Sequence, residues 1–255
     1  MGRIIAIASG KGGVGKSCVT AAAGAGLAAL GRKTLMVDMD LGLRNLDTLF
    51  GMETQVLNHI GDYIRGNASL DEVITPVEAH PGLFLLAAAQ YLDPSEITKE
   101  ALAELFGQLR ERFDVVLADC PAGIGPIFEA VIQNADEGIA VTEPVVSAVR
   151  DADKVLHCME DAGIKYRFII VNKLRYQLMT RSVMMSPDEI GEVLGVSLLG
   201  IVPMDENVII CSNSGKSLIG SGTPAGKAFE RIASRMTGRA VPVPRLKRGR
   251  KGLFR

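Results

Sequence analysis

No uncharged apolar run in this chain reaches eighteen residues, so the sequence offers no candidate for a transmembrane helix. Its four cysteines, Cys18, Cys120, Cys158 and Cys211, form no C-x-x-C pair, which leaves neither a disulfide framework nor a cysteine metal site indicated. Reduced thiols suit the cytosol. Strand-like residues begin at Arg3, leaving no room for a leader peptide, and this supports the same compartment. Acids are missing from residues 239–255, a segment that carries +7; with a net charge of −1, residues 1–238 carry −8. An acidic body with a basic tail predicts an anionic partner for the tail. The rest of the composition, 47% apolar and 22% charged over 255 residues, suits one large α/β domain with a sizeable core.

What the chain does have is a phosphate-binding loop. Gly10 to Ser17 reads Gly-Lys-Gly-Gly-Val-Gly-Lys-Ser and meets the pattern G-x-x-x-x-G-K-[ST] at every required position. Ile4 to Ala8 is a short apolar run suited to a buried parallel strand, and the small residues after Lys16 suit a helix anchored by Leu27 and Leu30. Strand, glycine loop and helix is the order that phosphate binding requires. Backbone N–H groups face the phosphate oxygens, and the helix N-terminus adds its partial positive charge. Gly12, Gly13, Val14, Gly15, Lys16, Ser17 and Cys18 are therefore the candidate nucleotide-binding residues. Lys16 would reach the β- and γ-phosphates, and the Ser17 hydroxyl would bind Mg²⁺.

Lys11, directly before the paired glycines, makes this a deviant Walker A motif, and on it the chain resembles the ParA/MinD family of dimerising ATPases. In that family the additional lysine reaches across a dimer to the partner's nucleotide. The resemblance implies ATP or ADP with Mg²⁺ as cofactors, an ATP-dependent homodimer, and catalytic roles for Lys11 and Lys16. Thr34 to Asp40 is an apolar strand ending in two acids, at the sheet edge where ligands bind. On local pattern alone, Asp38 or Asp40 could equally cap the following turn. Leu41-Gly42-Leu43-Arg44-Asn45-Leu46-Asp47 resembles the family's switch I. That likeness implies that Asp40 positions or activates the attacking water, that Asp38 joins the metal set, and that Arg44 and Asn45 are dimer or partner contacts.

Further along, residues 56–75 read as short helices, Gly82 to Ala89 as a buried strand, and Thr98 to Arg112 as a helix with a core stripe. Phe113 to Asp119 is another buried strand, and Asp119-Cys120-Pro121-Ala122-Gly123 resembles the family's Walker B and switch II segment. Asp119 would orient Mg²⁺, and the Gly123 N–H would contact the γ-phosphate. Gly138 to Pro144 is a strand and loop leading into Ser147–Lys154, which resembles a segment near the family's dimer seam and partner surface. Asp151 and Asp153 are its candidates, although acids in a first helical turn also answer the helix dipole alone. Arg167 to Lys173 is a strand whose Asn172-Lys173 begins the guanine-reading element N-K-x-D, but Arg175 stands at the fourth position. Without that carboxylate, guanine loses the acceptor for its two donors, which favours ATP with Asn172 at the adenine edge. Gly200 to Asp205 is the last strand and its loop, and the resemblance lays Pro203 and Asp205 against the adenine. Ser186 caps a helix that opens on Pro187, and residues 222–237 form the final helix.

The elements predict a single-domain, doubly wound α/β fold with a mostly parallel sheet of about seven or eight strands. Residues 1–238 would form the P-loop ATPase body and residues 239–255 a basic amphipathic membrane-targeting tail. Leu246, Leu253 and Phe254 fall on one helical face at i, i+7 and i+8, and basic residues fill most of the rest. Gly249 and Gly252 each weaken such a helix by roughly 1 kcal/mol, so one tail binds poorly and two on a dimer bind much better. A disordered solubilising tail and a DNA-binding arm are also consistent with a basic run.

The resemblance implies an ATP-hydrolysing dimerisation switch that binds the membrane in its ATP state and helps position the cell-division site. It would work in the cytoplasm and at the inner face of the membrane. A MinC-like division inhibitor and a MinE-like ATPase activator would be its partners, with no specific nucleic acid. A ParA-type DNA-partition ATPase is the alternative, but it would carry its basic patch on the body, which here is acidic. A flagellar-number ATPase of the FlhG type often has an N-terminal extension, absent here, and an iron–sulfur carrier ATPase would need the missing C-x-x-C.

Overall fold

A computed structural model describes residues 1–42, 44–181 and 183–244. Eight strands build one sheet: β1 (Arg3–Ser9), β2 (Thr34–Asp38), β3 (Ile74–Pro76), β4 (Leu83–Leu86), β5 (Val115–Ala122), β6 (Glu137–Thr142), β7 (Tyr166–Leu174) and β8 (Ser197–Pro203). Their spatial order is β3-β4-β2-β5-β1-β6-β7-β8, and all pairs are parallel except β3 with β4. The central strands are apolar on both faces because both faces are covered. In β1, Ile4, Ala6 and Ala8 join one core, and Ile5 and Ile7 join the other.

Helices on both faces make the fold doubly wound, as the sequence predicts. Lys16–Ala29 and Pro224–Met236 cover one face; Lys99–Arg112, Pro126–Ile132, Val146–Asp161 and Pro187–Leu194 cover the other. The helix Lys16–Ala29 is built from alanine, glycine and other small residues, so its neighbours approach closely. A Cβ on Gly26 would come within 2.7 Å of the Ala233 Cβ. The Ser186 cap forms as expected, with Glu189 completing a capping box, and Thr98 caps Lys99–Arg112.

Three local readings change. The antiparallel edge strand β3 ends the stretch read as short helices, and a helix Glu206–Asn213 follows the last strand. Asp151 and Asp153 lie beyond the first turn of Val146–Asp161, which holds no acid, so the helix-dipole explanation offered for them does not apply. Leu246, Leu253 and Phe254 lie outside the described residues. The start of the predicted tail does not: residues 239–244 run along the outer side of β8. The Arg235 guanidinium donates to the carbonyls of Leu199, Val241 and Pro242 at 2.7, 2.7 and 2.8 Å, and Val243 packs near Leu174, Met179 and Ile201.

Gly200 marks where β8 meets the final helix; a Cβ there would lie 2.2 Å from the Ile232 Cγ1. Gly200→Ala is therefore expected to lower stability by about 1–3 kcal/mol through overpacking. Urea denaturation would show it. Trimming the neighbour with Ile232→Ala should make the double variant lose less than the sum of the two single losses.

Candidate functional site

Three neighbouring strands build the site at the carboxyl edge of the sheet. β1 runs into the glycine loop, β2 ends at Asp38, and β5 carries Asp119 directly beside Asp38 in the parallel register. β1 and β5 shift register between Ile7 and Ser9, an irregularity of the kind that re-aims a chain beside an active site. Gly15 has φ +88° at the N-cap of Lys16–Ala29, in the left-handed region that disfavours a side chain, and a Cβ there would overlap the Asn172 amide at 2.4 Å. Gly12 and Gly13 are exposed, while Val14 is buried.

Asp119 is fully buried and surrounded by donors. The Lys16 ammonium lies 2.9 Å from Oδ1, the Thr20 hydroxyl donates to Oδ1 at 2.8 Å, and the Ser17 hydroxyl donates to Oδ2 at 2.7 Å. Beside it, the Asp38 carboxyl accepts the backbone N–H groups of Asp40 and Leu46 at 3.0 and 3.1 Å. Burial, and after it the Asp119 charge, pushes the Asp38 carboxyl up to about 7. Asp40 is half-buried; burial raises its carboxyl against the pull of the Lys16 ammonium 4.0 Å away, and the Asn45 amide donates to it at 3.4 Å. Ser17 and Asp119 thus converge with Asp38 close by. Such an all-oxygen set, two carboxyls and a hydroxyl, fits a hard divalent cation such as Mg²⁺.

The other predicted residues divide by what they touch. Lys11 is half-buried, and among the described residues no carboxylate lies within ion-pair distance of it; its carbonyl accepts the Ser9 hydroxyl at 3.0 Å. The Cys18 sulfur sits 4.0 Å from the Ser212 hydroxyl, and burial raises its thiol. The Gly123 N–H donates to the Ser9 carbonyl at 2.8 Å, so in this conformation a protein acceptor holds it. The Asn172 amide donates to the Val14 carbonyl at 2.8 Å. Pro203 ends β8, and Asp205 caps Glu206–Asn213 while also accepting the Ala225 N–H at 3.0 Å. Burial pushes the Asp205 carboxyl up, but hydrogen bonds from Ala225 and Asn207 outweigh it and hold it below its ordinary range.

Arg44 turns toward its own helix. Its φ is +45°, its guanidinium pairs with Asp47 at 2.5 Å, and its buried Nε and Nη2 make no hydrogen bond of good geometry. Asp151 seats its helix on the phosphate loop, since a Cβ on Gly10 would lie 2.3 Å from the Asp151 carbonyl oxygen. Asp153 is half-buried, 3.6 Å from His157.

Sequence reasoning missed three contributors. Lys173, in the left-handed region at φ +54°, donates its ammonium to the Gly13 carbonyl and pairs with Glu143 at 2.8 Å. Thr20 is the third. Asn172 and Lys173 together hold two loop carbonyls from behind, so the loop's N–H groups are free to face a phosphate. Only the Asn172-Lys173 dipeptide could have signalled this; nothing local marks Glu143 or Thr20.

Asp38 binds its proton more tightly folded than unfolded, where a carboxyl titrates near about 4. Without divalent cations, the stability it contributes is therefore complete below about pH 4 and lost as pH rises through about 7. Asp38→Asn has no proton to lose. Denaturant melts in EDTA at about pH 5.5 and about pH 8 should show the variant gaining on the wild type as pH rises; a constant difference would contradict the raised carboxyl.

Comparison with known proteins agrees with this geometry. The family model for ParA, described as NUBPL iron-transfer P-loop NTPase, matches residues 1–237. The septum site-determining protein MinD of Synechocystis sp. is 41% identical over 244 residues, covering 95% of this chain and 92% of that relative. Among solved structures, the MinC:MinD cell division protein complex of Aquifex aeolicus superposes with a TM-score of 0.89 at 31% identity, covering 96% of this chain and 100% of that one. MinD of Pyrococcus horikoshii complexed with Mg-ADP gives a TM-score of 0.83 at 29% identity, covering 92% and 96%. Among the described residues no group of three or more His, Cys, Asp or Glu side chains could hold a metal ion. A P-loop that closes on Lys16 and Ser17, with Asp119 of β5 beside it, in a fold and sequence shared along the chain with these relatives, makes the chain a P-loop ATPase belonging to the ParA/MinD family.

Proposed function

We propose that this ATPase is a dimerisation switch of the MinD type, which binds the membrane in its ATP state and helps position the cell-division site. One observation carries the reading furthest. Ile124, Val145, Val146, Met204, Ile209 and Ile210 are exposed, and all follow the carboxyl ends of β5, β6 and β8. The edge that holds the phosphate loop therefore also presents an apolar surface, which suits burial against a second copy over the nucleotide. Lys11, on the same edge, is then free to reach the partner's phosphates.

Within each copy, Lys16 holds the β- and γ-phosphates, Asp40 positions the attacking water, and Ser17 and Asp119 hold Mg²⁺ with Asp38 beside them. Mg²⁺ supplies neutralisation of charge developing on the phosphate oxygens. Asn172 and the Pro203–Asp205 loop face the adenine. Arg44 and Asn45, with Asp151 and Asp153, form the surface for a MinC-like inhibitor and a MinE-like activator. The Aquifex relative was solved with MinC, and that pairing supports the first of these. Residues 1–238 are the ATPase body and 239–255 the membrane-targeting tail, with Leu246, Leu253 and Phe254 as its apolar contacts. Among the described residues no helix is long and apolar enough to cross a membrane, which suits a peripheral mode of binding.

Co-sedimentation with anionic liposomes tests this directly. The full chain should pellet with ATP and not with ADP. A chain ending at Pro244, and Lys11→Ala in the full chain, should both stay in the supernatant with ATP. Failure to pellet in every state, with ATP-dependent retention on duplex DNA instead, would replace this reading with the partition one.

A further inference from the structure

Thr20 is completely buried, one helical turn after Lys16, and its hydroxyl lies between two acceptors. The Lys16 carbonyl is 3.1 Å away and Asp119 Oδ1 is 2.8 Å away. A hydroxyl has one proton to give. The Lys16 carbonyl is already served by the helix's own i to i+4 ladder, so the proton is directed at Asp119. The two oxygens of that carboxylate are thereby made different. Oδ1 is gripped from the helix side by Thr20 and Lys16, and Oδ2 is left toward the Ser17 hydroxyl at 2.7 Å.

We propose that Thr20 is a positioning residue for Mg²⁺ binding: it fixes the rotation of the Asp119 carboxylate so that Oδ2 faces the metal side with Ser17. This rests on the reading that Ser17 and Asp119 hold Mg²⁺ with the nucleotide. Partners behind a metal-facing carboxylate tune affinity without touching the ion. Lys16 cannot substitute for Thr20, because its ammonium sits on a long flexible stem and is the group that the phosphates also attract. Thr20, buried below the loop, is the donor on Oδ1 that a bound phosphate does not draw away.

The test is binding of a fluorescent ADP analogue by the full chain, in EDTA and across a Mg²⁺ titration, for the wild type, Thr20→Val and Thr20→Ser. Valine keeps the shape and removes the hydroxyl; serine keeps the hydroxyl. Thr20→Val should need about tenfold more Mg²⁺ or beyond for half-maximal tightening, with binding in EDTA unchanged, and Thr20→Ser should match the wild type. A wild-type Mg²⁺ midpoint in Thr20→Val would overturn the proposal. So would an equal loss with and without Mg²⁺ that serine does not rescue, since that is the signature of a packing role alone. A wild type whose ADP binding ignores Mg²⁺ would instead overturn the metal assignment to Ser17 and Asp119. Thermal melts check folding; if valine fails to fold, Thr20→Ala takes its place, with the same shift expected and the same outcomes overturning it.

Discussion

Burying a carboxylate completely is unfavourable unless donors surround it, and the phosphate site is arranged around that constraint at Asp119. Its three partners, Lys16, Ser17 and Thr20, all come from the first turn and a half of one helix. The helix can bring them there only because β1 and β5 are adjacent and parallel, which sets the start of the helix over the end of β5. On its other side β5 pairs in parallel with β2, and that pairing places Asp38 next to Asp119. Burial raises the Asp38 carboxyl, and repulsion from the Asp119 charge beside it adds to the shift. A site that is uncomfortable without a cation is one that a cation stabilises on binding.

Much of this was legible in the chain itself, and the reason is local encoding. The phosphate loop is a contiguous motif whose glycines answer a backbone requirement, and buried parallel strands write themselves as apolar runs. What escaped was encoded at a distance. The edge strand β3 is three residues long, pairs antiparallel with β4, and has no periodicity to read. The helix Glu206–Asn213 has no buried face, so no apolar stripe announces it. Thr20 looks like any threonine in a small-residue helix until β5 brings Asp119 beside it. Asp205 caps Glu206–Asn213, and its bond from the Ala225 N–H likewise depends on a partner twenty residues away.

Asn172 and Lys173 show that a partial motif can carry a second, structural role. The absence of a carboxylate at Arg175 bears on which base can bind, yet the geometry shows the first two positions working on the loop. An amide and an ammonium on consecutive residues reach consecutive loop carbonyls, with Lys173 in the left-handed conformation. That strained backbone, on the order of 1 kcal/mol or more for a non-glycine residue, is held by Glu143 from the end of β6. Glu143 lies two residues before the exposed Val145 and Val146, so the loop and the apolar edge share a physical link.

The charge distribution then bears on how a chain of this kind could meet an anionic surface at all. With −8 on residues 1–238 and +7 on residues 239–255, the whole chain is close to neutral, and net charge predicts no attraction. Distance decides instead. At physiological salt, interactions fade over about 8 Å, so a tail lying on a surface is felt while most of the body is screened. Each basic residue near such a surface contributes about 1 kcal/mol. Arg235 matters to this balance because it ties the chain at Val241 and Pro242 to β8, which fixes the point from which the basic segment departs. Two bodies joined at the carboxyl edge would hold two such points at a set separation. The second tail would then bind from a short tether, where effective concentration replaces the affinity that its glycines forfeit.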